Sequence, residues 1–299
     1  MGIDNHALNF LKFARRKQAL GRVATIGRQE IHVPEDKLKS ALNLKGNTKY
    51  GHYCEELLIE HFAATVVESF DNSDYEHATY IADMNKPLAV QNRYDTVIDF
   101  GTLEHIYNIP QALRNVSELC SAGGQILHVL PANNFCGHGF WQVSPELFFT
   151  LYSEANGYQE TEVFLADLAN EQFWYQVREP RDGARANVTS STLLYALVRT
   201  RRTKVFSHDD VQQSDYVFAW KGNISAYVFW WKHDQISSPK IAKLKELVKQ
   251  SSFAPFARKA YLIARKAYLK WLHIVAPPPS TVLSSKNPHL RKIAVSSLV

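Results

Sequence analysis

The sequence predicts an α/β fold, a parallel sheet covered by helices on both faces. Two observations carry this. Short apolar, partly β-branched runs alternate with amphipathic stretches over about two-thirds of the 299 residues, as in buried parallel strands joined by helical crossovers. Those runs end on polar or glycine residues: Gly27, Asp71, Asp83 and the pair Phe100-Gly101. Ligands of such sheets sit at the carboxyl ends of the strands, so these ends mark the expected site.

The elements follow in order. Leu8, Phe10, Leu11, Phe13 and Ala14 give an amphipathic first helix. Val23–Ile26 is a short strand that stops at Gly27. A helix is predicted around residues 52–63, with Leu57, Leu58 and Phe62 near one face. "ATVVESFD" is a strand ending in Asp71, "ATYIADMN" another ending in Asp83, and "YDTVIDF" a fourth. "IPQALRNVSELC" is a helix, "SAGG" its exit turn, and "QILHVLP" a fifth strand closed by Pro131. Ser144 and Pro145 read as N-cap and first residue of the next helix. "ETEVFLAD" and "STLLYALVRT" are two further strands, and residues 171–187 between them read as a loop. Residues 240–275 are predicted to be basic helix, stopped by Ala276-Pro-Pro-Pro-Ser280, with an extended arm after it. The expected division is a domain at 1–203, a connector or cap at 204–238 and a basic helical extension with tail at 239–299.

Composition is that of an ordinary globular chain, 45% apolar and 21% charged. No apolar run reaches the roughly 18–20 residues of a membrane span. The first 20 residues lack an apolar signal core, and His6 stands where a myristoylation motif has Ser or Thr. Cys54, Cys120 and Cys136 have no metal spacing and suit a reducing, cytoplasmic setting. Charge is uneven. Residues 236–299 carry 12 Lys/Arg against the single acid Glu246, about +11, while the whole chain is +5. The body is therefore acidic and the tail basic, which suits an anionic partner for the tail. Arg258, Lys259, Arg265 and Lys266 recur at a spacing of seven and share one helical face. Such a helix suits peripheral contact with an anionic membrane; pairing with another subunit in a homo-oligomer, or with the body, is the alternative. The acidic body disfavours nucleic acid.

The stretch "YDTVIDFGTLEHI…QALRNVSELCSAGGQILHVLP" resembles the second half of class I S-adenosyl-L-methionine (SAM)-dependent methyltransferases. The resemblance runs from about residue 20 to 202. It implies a Rossmann-like seven-stranded sheet with the last strand antiparallel, and SAM as cofactor. Gly27, with Thr25 and Arg28 beside it, stands at the family's glycine loop, where the methionine part of SAM lies. Asp71 stands where a carboxylate accepts the ribose hydroxyls. Asp83 and Met84 stand at the adenine position. Asp99, Phe100 and Gly101 stand beside the sulfonium and amino group. One departure is plain: the loop "TIGRQEIH" has a single glycine, with Arg28 and Gln29 where small residues are usual.

Methyl transfer is an in-line displacement that needs positioning, plus a base when the acceptor is a hydroxyl. His105 and Glu104 directly follow strand four, and His138 lies between Gly137 and Gly139 in the loop after strand five. These are the catalytic candidates; packing roles are the alternative for each. His128, inside strand five, reads as a core residue. Related ubiquinone-pathway O-methyltransferases have a further acid three residues ahead of the Glu-His pair. Gly101 stands there in this chain, so no metal site is expected. The loop "GHGFWQVSPELF" is similar to one in glycan-pathway methyltransferases and implies a small-molecule or sugar hydroxyl acceptor. Three rival readings remain: a catalytically degenerate SAM-fold partner protein, a nucleic-acid methyltransferase, and a membrane adaptor acting through the residues after about 238.

Overall fold

A computed structural model describes residues 2–44, 49–89, 94–223 and 282–299. Among these, two short strands, β1 (Gly2–Ile3) and β3 (Glu30–Ile31), pair in parallel as a small separate sheet. The main sheet contains β2 (Gly21–Ile26), β4 (Ala64–Asp71), β5 (Tyr80–Ile81), β6 (Tyr94–Phe100), β7 (Cys120–Asn133), β8 (Tyr158–Asp167), β9 (Phe173–Val177), β10 (Leu194–Arg202) and β11 (Leu290–Ala294). Its order is β11-β9-β8-β10-β7-β6-β2-β4-β5. The pairs β4–β5, β2–β4, β2–β6 and β6–β7 are parallel, and β10 is antiparallel to both β7 and β8.

The described helices include those expected around 5–17, 52–63, 109–119 and 145–151, and one not expected, Glu35–Leu42. α1 (Asn5–Lys17) is capped by the Asp4 carboxylate, which accepts from Ala7 N at 2.8 Å, and ends on Arg15, Arg16 and Lys17, charges that suit a helix carboxyl end. α2 (Glu35–Leu42) and α3 (Glu55–Phe62) follow. α4 (Ile109–Leu119) has proline in its first turn, and α5 (Pro145–Leu151) is capped by Ser144. Side chains of a strand alternate between faces. Ile98 and Phe100 of β6 accordingly join one core with Phe10 and Leu11 of α1 and Leu57 and Leu58 of α3. Asp99, between them, faces the opposite side, where His128 meets it and Tyr152 in turn meets His128.

Four expectations need correction. The sheet has nine strands rather than seven, because β9 and β11 extend the β8 edge. β9 arises where a loop was expected: Trp174 and Val177 turn inward, and Trp174 Nε1 donates to His6 Nδ1 at 3.0 Å. The arm expected at the end of the chain instead contributes β11, with Leu290 buried and Arg291 and Lys292 exposed at the edge of the sheet. The strand expected over 78–85 shrinks to Tyr80–Ile81, because Asp83 draws the chain into a turn. The basic helix expected over 240–275 lies outside the described residues.

The chain divides into two compact units. Of the described residues, the first comprises 2–44, 49–89, 94–179, 190–212 and 291–299; the second comprises 180–189, 213–223 and 282–290. In the second, α6 (Ser214–Phe218) carries Asp215, a buried carboxylate paired with Arg185. No described helix is long and apolar enough to cross a membrane.

Candidate functional site: a cleft at the strand ends

The carboxyl ends of β2, β4 and β6 open on a cleft of about 260 Å³, near the lower end of ligand pockets at about 300–1,000 Å³. β2 hands over to Gly27, Arg28 and Gln29, β4 to Asp71, Ser73, Tyr75 and Glu76, and β6 to Gly101, Thr102 and His105, all of which line it. Gly27 (φ 71°) and Gly101 (φ 88°) take the left-handed backbone that L side chains rarely adopt. A Cβ on Gly27 would meet Thr102 Oγ1 at 2.6 Å. That hydroxyl donates to Ile26 O at 2.7 Å and ties the first loop to the third.

Two acids, Asp71 and Glu76, line it together with Arg28 and His105. Asp71 and Glu76 lie close enough that burial and the Asp71 charge raise the Glu76 carboxyl above its ordinary value. Arg28 is engaged at the rim: Nε meets Glu55 Oε1 at 2.7 Å, Nη1 donates to Glu76 O at 2.7 Å, and the guanidinium lies 4.0 Å over the Tyr53 ring. Gln29 is buried. Its Nε2 donates to Ile26 O at 2.6 Å, while its Oε1 has no partner among the described residues. Tyr75 is 87% exposed and offers a bare ring at the cleft.

Gly27, Arg28, Asp71, Gly101 and His105 thus share the cleft. Thr25 and Phe100 are buried in the sheet. Asp83 lies in its own turn, accepting from Asn85 N at 3.0 Å and pairing with Lys86 at 3.1 Å, which lowers its pKa. Met84 is buried, its carbonyl taken by Asn115 Nδ2. Asp99 is fully buried: Oδ1 accepts from Thr102 N and Leu103 N, and Oδ2 meets His128 Nδ1 at 2.8 Å. His128 Nε2 in turn meets Tyr152 Oη at 2.7 Å. Asp99 therefore braces the loop that lines the cleft.

Beyond His105 the site continues. Glu104, in the turn Leu103–His105, is 1% exposed, and neither carboxylate oxygen has a hydrogen-bond partner among the described residues. Burial, then the Asp99 charge, pushes its pKa up to about 8. Phe140 N and Trp141 N both donate to Glu104 O, at 2.7 and 3.2 Å. These bonds draw His138 over the carboxylate, its Nε2 3.6 Å from Oε1; His105 Nε2 is 4.0 Å from the same oxygen. Burial, then His138, lowers the His105 pKa. Tyr107 and Phe140, both exposed, meet edge to face beside these imidazoles.

Sequence reasoning missed Ser73, Tyr75, Glu76 and Thr102, and treated Gln29 only as a departure. The available signal was position: Ser73 closes a turn on the Asp71 carboxylate, so the residues after a strand-end acid fold back over the cleft.

No family model matches the chain, and no curated protein matches it. SAM-dependent methyltransferases are among the solved structures it is similar to. N-methyltransferase NodS from Bradyrhizobium japonicum WM9 is 12% identical, with a TM-score of 0.38, covering 65% of this chain and 93% of that one. The 1,6-didemethyltoxoflavin-N1-methyltransferase of Burkholderia thailandensis, crystallised with S-adenosylhomocysteine, is 13% identical, with a TM-score of 0.38, covering 67% and 78%. The YcgJ protein of Bacillus subtilis is 11% identical, with a TM-score of 0.39, covering 65% and 98%.

Proposed function

We propose that the chain is a SAM-dependent methyltransferase acting on a hydroxyl of a small molecule or sugar. One observation carries this reading: a polar cleft at the ends of three parallel strands, holding Asp71 and Glu76, runs directly into a buried carboxylate flanked by two imidazoles. The residues fit the cofactor. Gly27 and Gly101 let backbone approach it closely, Asp71 offers acceptors for the ribose hydroxyls, and the unpartnered Oε1 of Gln29 and the Glu76 carboxyl suit its cationic and amino groups. The Tyr75 ring suits a planar base. Bound SAM supplies an electrophilic methyl group.

The chain's own residues serve the acceptor side. Glu104, with its pKa raised to about 8, is mostly protonated near neutral pH and can hydrogen-bond the acceptor oxygen. His105, its pKa lowered, is neutral there and accepts or relays a proton. Tyr107 and Phe140 present apolar faces to a ring or sugar acceptor. The test is calorimetric titration with S-adenosylhomocysteine, then SAM-dependent methylation of a panel of hydroxyl acceptors. Micromolar product binding with methylated acceptor supports the reading, and no binding by folded protein refutes it.

A second reading, a catalytically degenerate partner protein, draws on the Gln29 side chain in the first loop, where the family keeps small residues. Association of the basic tail with an anionic membrane is a separate proposal. Co-sedimentation with phosphatidylserine vesicles, lost on deleting residues 239–299, is its test.

A further inference from the structure

Glu104 poses a problem of its own. A carboxylate that is 1% exposed with both oxygens unpartnered is costly to bury. The surrounding chain holds it there. Gly137 (φ 91°) and Gly139 (φ 72°) fold the loop after β7 back on itself, and a Cβ on Gly139 would meet Glu104 O at 2.8 Å. The two backbone bonds from Phe140 and Trp141 fix that approach. The result is convergence on Glu104 at distances too long for hydrogen bonds to it. The two imidazole nitrogens stand 3.6 and 4.0 Å from one Glu104 oxygen, beyond the roughly 2.7–2.9 Å of a charge-assisted bond. The ligand atoms of Glu104, His105 and His138 all lie within 4.8 Å of one another.

That spacing is what a cation between them requires. Nitrogen and oxygen ligands bound at about 2.0–2.2 Å stand about 3–3.5 Å apart at tetrahedral or octahedral angles. The Glu104–His138 separation is already close to this. His105 Nε2, 4.0 Å from Glu104 Oε1, must move in by about half an ångström or more, a small rotation of rings that are 46% and 43% exposed. One carboxylate and two imidazoles suit a first-row divalent ion, whereas calcium and magnesium prefer all-oxygen sites. The exposed side of both rings leaves room for further ligands.

We propose that Glu104, His105 and His138 form a three-ligand site for a first-row divalent cation, open to an acceptor hydroxyl. The expectation of no metal site counted only residues adjacent in sequence. His138, 33 residues beyond His105, supplies the third ligand through the loop. The ion neutralises the buried carboxylate. Resting on the methyltransferase reading, it would also bind the acceptor oxygen and favour loss of its proton.

The test uses the full chain after chelator treatment, titrated with zinc or manganese by calorimetry and with cobalt by visible absorption. Expected are one ion per chain with micromolar or tighter affinity, cobalt bands of a nitrogen and oxygen set, and no comparable binding of magnesium or calcium. Glu104→Gln, His105→Ala and His138→Ala should each weaken binding at least about tenfold. The His52→Ala variant, which opens the separate Glu30–His52 pair, should leave it unchanged. No binding by folded wild-type chain overturns the site, as does binding that survives His138→Ala or disappears with His52→Ala. S-adenosylhomocysteine titration of the same samples separates the two claims. Metal binding without product binding would sink only the methyltransferase reading, and product binding without metal binding only the cation site.

Discussion

Replacing Gly27 by alanine asks whether the first loop is held as described. The backbone at φ 71° costs an L residue about 1–2 kcal/mol. The new Cβ would lie 2.6 Å from Thr102 Oγ1, so that hydroxyl must swing away. Doing so breaks its bond to Ile26 O, worth about 0.5–1.5 kcal/mol. Ile26 O still accepts from Gln29 Nε2, so the carbonyl is not stranded. The expected loss is about 2–3 kcal/mol of unfolding free energy, read by urea denaturation with an unchanged slope. A double-mutant cycle isolates the clash. In a Thr102→Ala background nothing is left to collide, and Gly27→Ala should cost only the backbone part. The coupling is therefore about 1 kcal/mol, with the double variant more stable than the summed singles. Additive costs, or a single-variant loss under about 0.5 kcal/mol, would refute the contact between the two loops.

Further predictions concern single groups. Asp71→Ala should weaken S-adenosylhomocysteine binding by about 1–3 kcal/mol, the worth of a bond to a charged acceptor; unchanged affinity by calorimetry would remove Asp71 from the site. His128→Phe should cost about 2–5 kcal/mol in denaturant unfolding, because Asp99 Oδ2 and Tyr152 Oη are left buried without their partner; a near-neutral variant would contradict that bracing role. Burial, then Arg114, depresses the His208 pKa to about 4, while Ser117 Oγ lies 3.2 Å from its Nε2. The neutral form is favoured in the fold, so its contribution is complete above the unfolded value of 6.5 and is lost as pH falls from there towards 4. Discounted for partial exposure, this is about 2–3 kcal/mol. His208→Asn should flatten that part of the pH–stability curve, and parallel curves would count against it.

The fold was legible where apolar periodicity is local. The β2, β4, β6 and β7 runs announce themselves because they are buried on both faces, and the Ser144-Pro145 start of α5 is chemical. β9 was hidden because its five residues mix Gln176 with aromatics, and only Trp174 reaching His6 of α1 makes them a strand. β11 was hidden because it is only five residues long with two adjacent charges, and its pairing lies more than 100 residues away in sequence. In the site, Gly27, Asp71, Gly101 and His105 were legible from their places at strand ends. Asp99 was not, although alternation was the available signal: Ile98 and Phe100 point to the α1 core, so the residue between them points away. The Glu104 environment had no local signal at all. It arises when a glycine-bracketed loop folds back across the end of β6 and brings His138 with it.

The central claim is that the strand-end cleft binds SAM. The most direct measurement is calorimetric titration of the purified chain with SAM and S-adenosylhomocysteine, with Asp71→Ala in parallel. The account predicts micromolar, one-to-one binding of both ligands and a clear weakening in the variant. A folded chain that binds neither would contradict it.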